Sequence, residues 1–285
     1  MPTPFTNQAQ LTYNGAVTNS NIAQGTIEEV LTISKTTLSN EYSTGERVTY
    51  IISLANTGAT DATNVTVTDN LGAYQFNDTT TLYPLNFDDN AVAFYVNGVL
   101  SAAPTVTPGP PLVFSGITVP ANGNAQIVYE ADVNEFAPLA TANSVNNVAT
   151  ASGDGLTTVS DNAIVAATDE PLLSITKSIS PVPVAENGRL TYTFLIQNNG
   201  NTAVTADGDA IITDTFDPVL SNIAVTFNGT TLTQGTDYDY DENTGVFSTR
   251  QGVVSVPAAT FTQDETTGAV AVSPGTSTLV ISGNI

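Results

Sequence analysis

The chain has 285 residues, of which 41% are apolar, enough for the cores of two domains of ordinary size. Only 11% are charged, the net charge is −22, and His and Cys are absent. This balance argues against nucleic acid and membrane insertion, and it excludes disulfides, thiolate chemistry, the usual transition-metal sites and a Ser-His triad.

Residues 1–29 open the chain as a strand hairpin. Phe5, Asn7, Ala9, Leu11 and Tyr13 share one parity, and residues two apart on a strand point to one face. No secretory signal is expected here, since residues 1–27 have neither a basic nor an apolar region. Leu31-Thr-Ile-Ser-Lys35 follows, and its alternation sends Lys35 where Leu31 and Ile33 point. Val48, Tyr50, Ile52 and Leu54 form the next inward face, ending at the turn Asn56-Thr-Gly58. In Val65-Thr-Val-Thr-Asp69, Asp69 shares the parity of the two valines. Pro104 to Pro111 reads as a surface loop or edge breaker. A strand through Tyr129 precedes Val145-Asn-Asn-Val-Ala-Thr-Ala151, which aims Asn147 inward with Val145, Ala149 and Ala151. No stretch carries a 3.6-residue apolar stripe, so the expected class is all-β, with immunoglobulin-like sandwiches.

The pattern then repeats. Leu173-Ser-Ile-Thr-Lys177 copies the first lysine strand 142 residues later, and these are the two lysines of the chain. Leu190-Thr-Tyr-Thr-Phe-Leu-Ile196 leads to Asn198-Asn-Gly200, and Ala210-Ile-Ile-Thr-Asp214 copies the Asp69 strand. The final residues, Leu279 to Ile285, are matched to Gln126–Asp132, so the second copy is expected to lack its last two strands. Their counterpart lies at the other end: Asn7-Gln-Ala9, Thr12-Tyr-Asn-Gly15 and Ser20 match Asn147-Val-Ala149, Ser152-Gly-Asp-Gly155 and Ser160. The junction Thr26-Ile-Glu-Glu29 also resembles Thr168-Asp-Glu-Pro171. The expected organisation is a donor hairpin at 1–29, a first sandwich at 30–171 and an incomplete sandwich at 172–285.

These residues resemble the bacterial and archaeal surface repeat family called domain of unknown function eleven. Its members share a Lys-bearing first strand, a Thr-Tyr strand ending Asn-x-Gly, an Ala-Thr-Asn-Val-x-Val-Thr-Asp strand and a late Asn-x-Ala strand. Here these are Ser34-Lys35, Thr49-Tyr50 with Asn56-Thr-Gly58, Ala62 to Asp69, and Asn147-Val-Ala149. The resemblance implies an immunoglobulin-like fold on an extracellular or cell-surface protein and no enzyme activity. By architecture, the permuted ends resemble donor-strand pilus and spore-appendage subunits.

One Lys, one Asp and one Asn aimed into a sandwich resemble the intramolecular isopeptide bonds of Gram-positive surface domains. There a desolvated lysine attacks an asparagine amide while a carboxyl moves protons. This assigns Lys35 and Asn147 to a bond promoted by Asp69. In the second copy Lys177 and Asp214 await Asn7 of a neighbouring chain. A buried Lys–Asp ion pair is the competing reading, and Asn146, Asn162 or Asn21 could replace the named asparagines. Asp237 to Gly245 places acidic residues at alternate positions, but Tyr238 and Tyr240 alternate with them as on a strand entering a turn. No metal or cofactor is expected. The leading function is a self-polymerising surface filament subunit, joined head to tail through Phe5, Asn7, Ala9, Leu11 and Tyr13. A two-domain adhesin with an unknown ligand is the alternative, and an enzyme with paired carboxylates ranks third.

Overall fold

The computed structural model describes residues 3–285. All regular structure among them is strand or isolated bridge, with no helix. The chain forms two compact units. One comprises residues up to Asn134 together with Val145–Val165, and the other comprises Glu135–Ser144 together with Ala166–Ile285.

The first unit has a five-stranded sheet in the order Val99–Ser101, Leu85–Val96, Gly123–Val133, Arg47–Asn56, Leu31–Thr37. Its six-stranded sheet runs Thr105–Thr107, Leu112–Val119, Ala62–Asp69, Ser144–Ser152, Val159–Ala167, Glu41–Tyr42. Period-two alternation turns one face of each strand inward. Val48, Tyr50, Ile52 and Leu54 are buried from one sheet, and Val65, Val67 and Phe114 from the other. Rings close the space between: Tyr50 stacks on Tyr129 at 5.4 Å, and Phe114 meets Tyr129 at 5.8 Å. The Pro104–Pro111 segment includes the edge strand Thr105–Thr107, where missing N–H groups cost no ladder bonds.

The second unit repeats the five-stranded sheet strand for strand: Thr230–Thr231, Ser221–Phe227, Gly275–Asn284, Arg189–Asn198, Leu173–Ser180. The Asn-x-Gly motif is braced identically in both. Asn56 Nδ2 donates to the carbonyls of Thr60 and Val119, and its Oδ1 accepts from Gly58 N–H. Asn198 does the same with Thr202, Pro257 and Gly200. The opposite sheet has three strands where the first unit has six: Tyr238–Tyr240, Val246–Thr249 and Thr213–Thr215. The strand carrying Asp214 spans three residues against eight in Ala62–Asp69. Ala62–Asp69 is held on both edges, by Leu112–Val119 and Ser144–Ser152. Thr213–Thr215 is held on one, by Val246–Thr249.

Pairing corrects the expected alignment of the chain's end. Tyr129 lies opposite Tyr50, and Ile281 lies opposite Tyr192. Ile281 therefore matches Tyr129, and Leu279 matches Ile127 rather than Gln126. A one-residue slip exchanges the faces of a strand, so the sequence match had paired inward residues with outward ones.

Residues 3–27 form a bare ribbon. Thr3–Asn7 pairs with Ala23–Ile27, and Gln10–Tyr13 pairs with Ala16–Asn19. Asn14 and Gly15 both have positive φ, as a two-residue hairpin turn of matching twist requires. Phe5, Leu11 and Tyr13 are 51%, 65% and 74% exposed. A two-stranded ribbon with no covered face is marginal in water. In hydrogen exchange on the isolated chain, amides of Thr213–Thr215 and of residues 3–27 should exchange rapidly, while those of Ala62–Asp69 stay protected. Equal protection of Thr213–Thr215 and Ala62–Asp69 would contradict the unpaired outer edge.

Candidate functional site: a buried lysine cluster and its open counterpart

Three strands of the first unit deliver the cluster: Leu31–Thr37 brings Lys35, Ala62–Asp69 brings Asp69, and Ser144–Ser152 brings Asn147. All three residues are buried. Lys35 Nζ donates to Asp69 Oδ2 at 2.5 Å, with both side chains fully enclosed. The same carboxylate oxygen accepts from the Tyr129 hydroxyl at 2.6 Å. Asn147 Nδ2 donates to that hydroxyl at 3.0 Å, and Asn147 Oδ1 accepts from Gly72 N–H at 3.2 Å. Asp69 Oδ1 accepts from Leu71 N–H. Lysine, carboxylate, phenol and amide thus form one hydrogen-bonded chain.

Burial is the main force on the Lys35 amine and lowers its pKa to about 8, with Asp69 and then Asp161 opposing the shift. Asp161 also accepts the backbone N–H of Lys35 at 2.7 Å. The amine lies 4.9 Å from the Tyr50 ring centre and 5.9 Å from that of Tyr129. Burial, followed by the Asp69 charge, raises the pKa of both phenols, so both stay protonated at neutral pH. The Tyr50 hydroxyl is buried against the same cluster, next to Asn147.

The second unit holds half of this arrangement. Lys177 Nζ donates to Asp214 Oδ2 at 2.5 Å, but their side chains are 39% and 18% exposed. The amine sits over Tyr192, Phe216 and Phe194 at 4.5, 5.3 and 5.4 Å. Leu173, Ile175 and Ile179, on the strand that carries it, are solvent-exposed. In the first unit, Leu31 on the matching strand is buried. Asn7 lies exposed on the ribbon, opposite Ala23. Of the alternative asparagines, Asn146 accepts from Asn162 at 2.9 Å on the surface, and Asn21 is exposed.

Sequence reasoning did not single out Tyr129, Asp161 or Gly72. Tyr129 shares parity with the buried Ile127 and Ala131, and Asp161 with Ala163 and Val165. That signal places them inward but gives them no partner. The Asp237–Gly245 segment is a hairpin: Tyr238–Tyr240 pairs with Val246–Thr249, and both tyrosines are buried. Among the described residues no group of acidic side chains is arranged to hold a metal ion.

No family model matches the chain, and no curated protein matches it. Solved structures similar to it include the collagen-binding domain of a Staphylococcus aureus adhesin, at 13% identity and TM-score 0.31, covering 49% of this chain and 98% of that one. The pilus backbone of Streptococcus pneumoniae aligns at 12% identity and TM-score 0.32, over 86% of this chain and 55% of that one. BcpA, the major pilin subunit of Bacillus cereus, aligns at 11% identity and TM-score 0.36, over 95% and 73%. The chain spans about half the length of the pneumococcal structure.

The two ion pairs should differ sharply in worth. In an Asn147→Ala background, Asp69→Ala should destabilise the first unit by about 3–5 kcal/mol, because it leaves a buried amine without its carboxylate. Asp214→Ala should cost under about 1 kcal/mol, since Lys177 is solvated. Urea midpoints at constant m-value measure both.

Proposed function

We propose that this chain is a structural subunit of an extracellular or cell-surface filament. It polymerises head to tail when the ribbon at residues 3–27 enters the second unit of a neighbouring copy. The observation that carries this reading is the lysine strand Leu173–Ser180, exposed along its whole length, beside an Asp214 strand with a free edge. The matching strands of the first unit are covered by Ser144–Ser152 and Val159–Ala167, the two segments that the ribbon copies in sequence.

The first unit supplies the register. Ala149 lies opposite Asp69, so Ala9 of the incoming chain lies opposite Asp214, and Asn7 takes the place of Asn147 beside Lys177. Phe5 and Leu11 then leave water, each contributing about 1.5–3 kcal/mol. Association costs about 4–15 kcal/mol, so such docking is reversible on its own. A covalent bond makes it permanent. We infer that Lys35 and Asn147 join with loss of ammonia, and that Lys177 and Asn7 do so across the junction, with Asp69 and Asp214 moving the protons. Docking would hold amine and amide together in a site closed to water, which is how proximity replaces an external enzyme. No helix among the described residues is long and apolar enough to cross a membrane.

Deletion of residues 1–27 should abolish filaments in micrographs, leaving monomers or amorphous aggregate. Normal filaments from that truncation would end the donor-hairpin reading. Wild-type filaments boiled in SDS should give a ladder, whereas Lys177→Ala and Asn7→Ala filaments should run as monomer.

The internal reaction carries its own pH signature. In the proposed reaction the proton of the Lys35 ammonium passes to the carboxyl before the amine attacks. That proton is retained below the Lys35 pKa of about 8 and lost above it. Ammonia loss from newly made chain, followed by intact mass, should therefore slow as pH rises through about 8. A rate that climbs across that range would point to a free-amine mechanism without the carboxyl.

A further inference from the structure

The corrected register makes the two lysine sites chemically unequal. Tyr129 and Ile281 occupy the same place, each opposite the tyrosine of its Thr-Tyr strand. In the first unit a phenol therefore stands between the carboxylate and the amide nitrogen, at 2.6 and 3.0 Å. At the junction an aliphatic side chain stands there. The second neighbour also differs. Asp161, whose carboxylate holds the Lys35 backbone N–H, is matched in the ribbon by Asn21 next to the Ser20–Ser160 pair.

We propose that Tyr129 is a catalytic residue of the internal site, the acid that protonates the departing amide nitrogen, and that its replacement by Ile281 makes the junction bond form later than the internal one. This rests on the isopeptide reading above.

The atoms balance as follows. The Lys35 ammonium gives a proton to Asp69 Oδ2. The neutral amine attacks Asn147 Cγ: an N–C bond forms, and the carbonyl π pair moves onto Oδ1, which Gly72 N–H already contacts. When this intermediate collapses, the bond from Cγ to Nδ2 breaks. Nδ2 takes the Tyr129 hydroxyl proton while the Tyr129 oxygen takes the proton from Asp69, reversing the two hydrogen bonds seen in the resting chain. The Asp69 carboxylate then removes the extra proton from the newly bonded nitrogen. An amide and one ammonia result, and nothing is oxidised or reduced. A directly contacted general acid is worth on the order of 100-fold or more. At the junction Ile281, in the place of Tyr129, carries no hydroxyl to bridge Asp214 and the leaving nitrogen, so ammonia departs without this assistance.

The consequence is an order of events. Each subunit hardens its first unit as it folds, while junctions stay exchangeable long enough for misdocked copies to separate before they lock.

The test uses the full chain made by cell-free synthesis and sampled over time. Intact mass after denaturation reads the internal ammonia loss, and SDS gels read the junction ladder. Internal loss should be complete before the ladder develops. Tyr129→Phe, which keeps the ring packed against Tyr50 and Phe114, should slow internal loss at least about tenfold. It should also lower the ratio of rates in H2O and D2O, which a change in packing alone leaves untouched. Wild-type kinetics in Tyr129→Phe, or a wild-type rate indifferent to D2O, would overturn the relay even if the variant proved hard to fold. A ladder that keeps pace with internal loss would overturn the inequality of the sites. Absence of any ammonia loss in the wild type would remove the isopeptide reading itself, and the relay with it.

Discussion

A lysine amine enclosed in an apolar sandwich is the constraint on which the first unit is built. An ammonium taken out of water costs several kcal/mol unless an anion and further dipoles meet it. Asp69 meets the Lys35 charge directly, Asp161 adds a second negative charge at its backbone, and two aromatic faces lie within 6 Å of it. None of these partners is local in sequence. The Lys35 and Asp69 strands lie in opposite sheets, and Asp161 and Asn147 come from the closing hairpin 144–167. The cluster is satisfied only when both sheets are complete, so lysine burial and closure of the fold are one event.

The second unit shows the same interaction with closure withheld. Lys177 reaches Asp214, yet water reaches both. The sheet that should cover them stops at a three-residue strand. An open edge beside exposed Leu173, Ile175 and Ile179 invites pairing with any chain, and the sequence limits it locally. The segment after this strand, matched to the edge strand Glu41–Tyr42, carries Pro181 and Pro183 at alternate positions. Two missing N–H groups on one side make it a poor template for casual strand addition.

The remaining side-chain cations are three arginines. Arg47 fans across Asp88, Glu130 and Asp132, Arg189 donates to Ser282 Oγ, and Arg250 binds Asp239 with two nitrogens, all three arginines being exposed. Such pairs are worth little individually. Arginine keeps its proton and is no nucleophile at neutral pH. Confining lysine to two positions would thus remove competing amines from the proposed reaction, which depends on one amine meeting one amide.

Period-two alternation made the strands and the inward aim of Lys35, Asp69 and Asn147 legible in the sequence, because side-chain direction on a strand is a local property of the backbone. Self-similarity did the same for the ribbon at the N-terminus. What no local pattern could decide was which residues meet. Tyr129 alternates like any core aromatic, and only its pairing opposite Tyr50 brings its hydroxyl between Asp69 and Asn147. The last strand read alone slipped by one residue against its copy and hid the exchange of Tyr129 for Ile281. Register is set by partners tens of residues away, and so the tertiary structure alone decided that two lysines alike in sequence stand in different chemical surroundings.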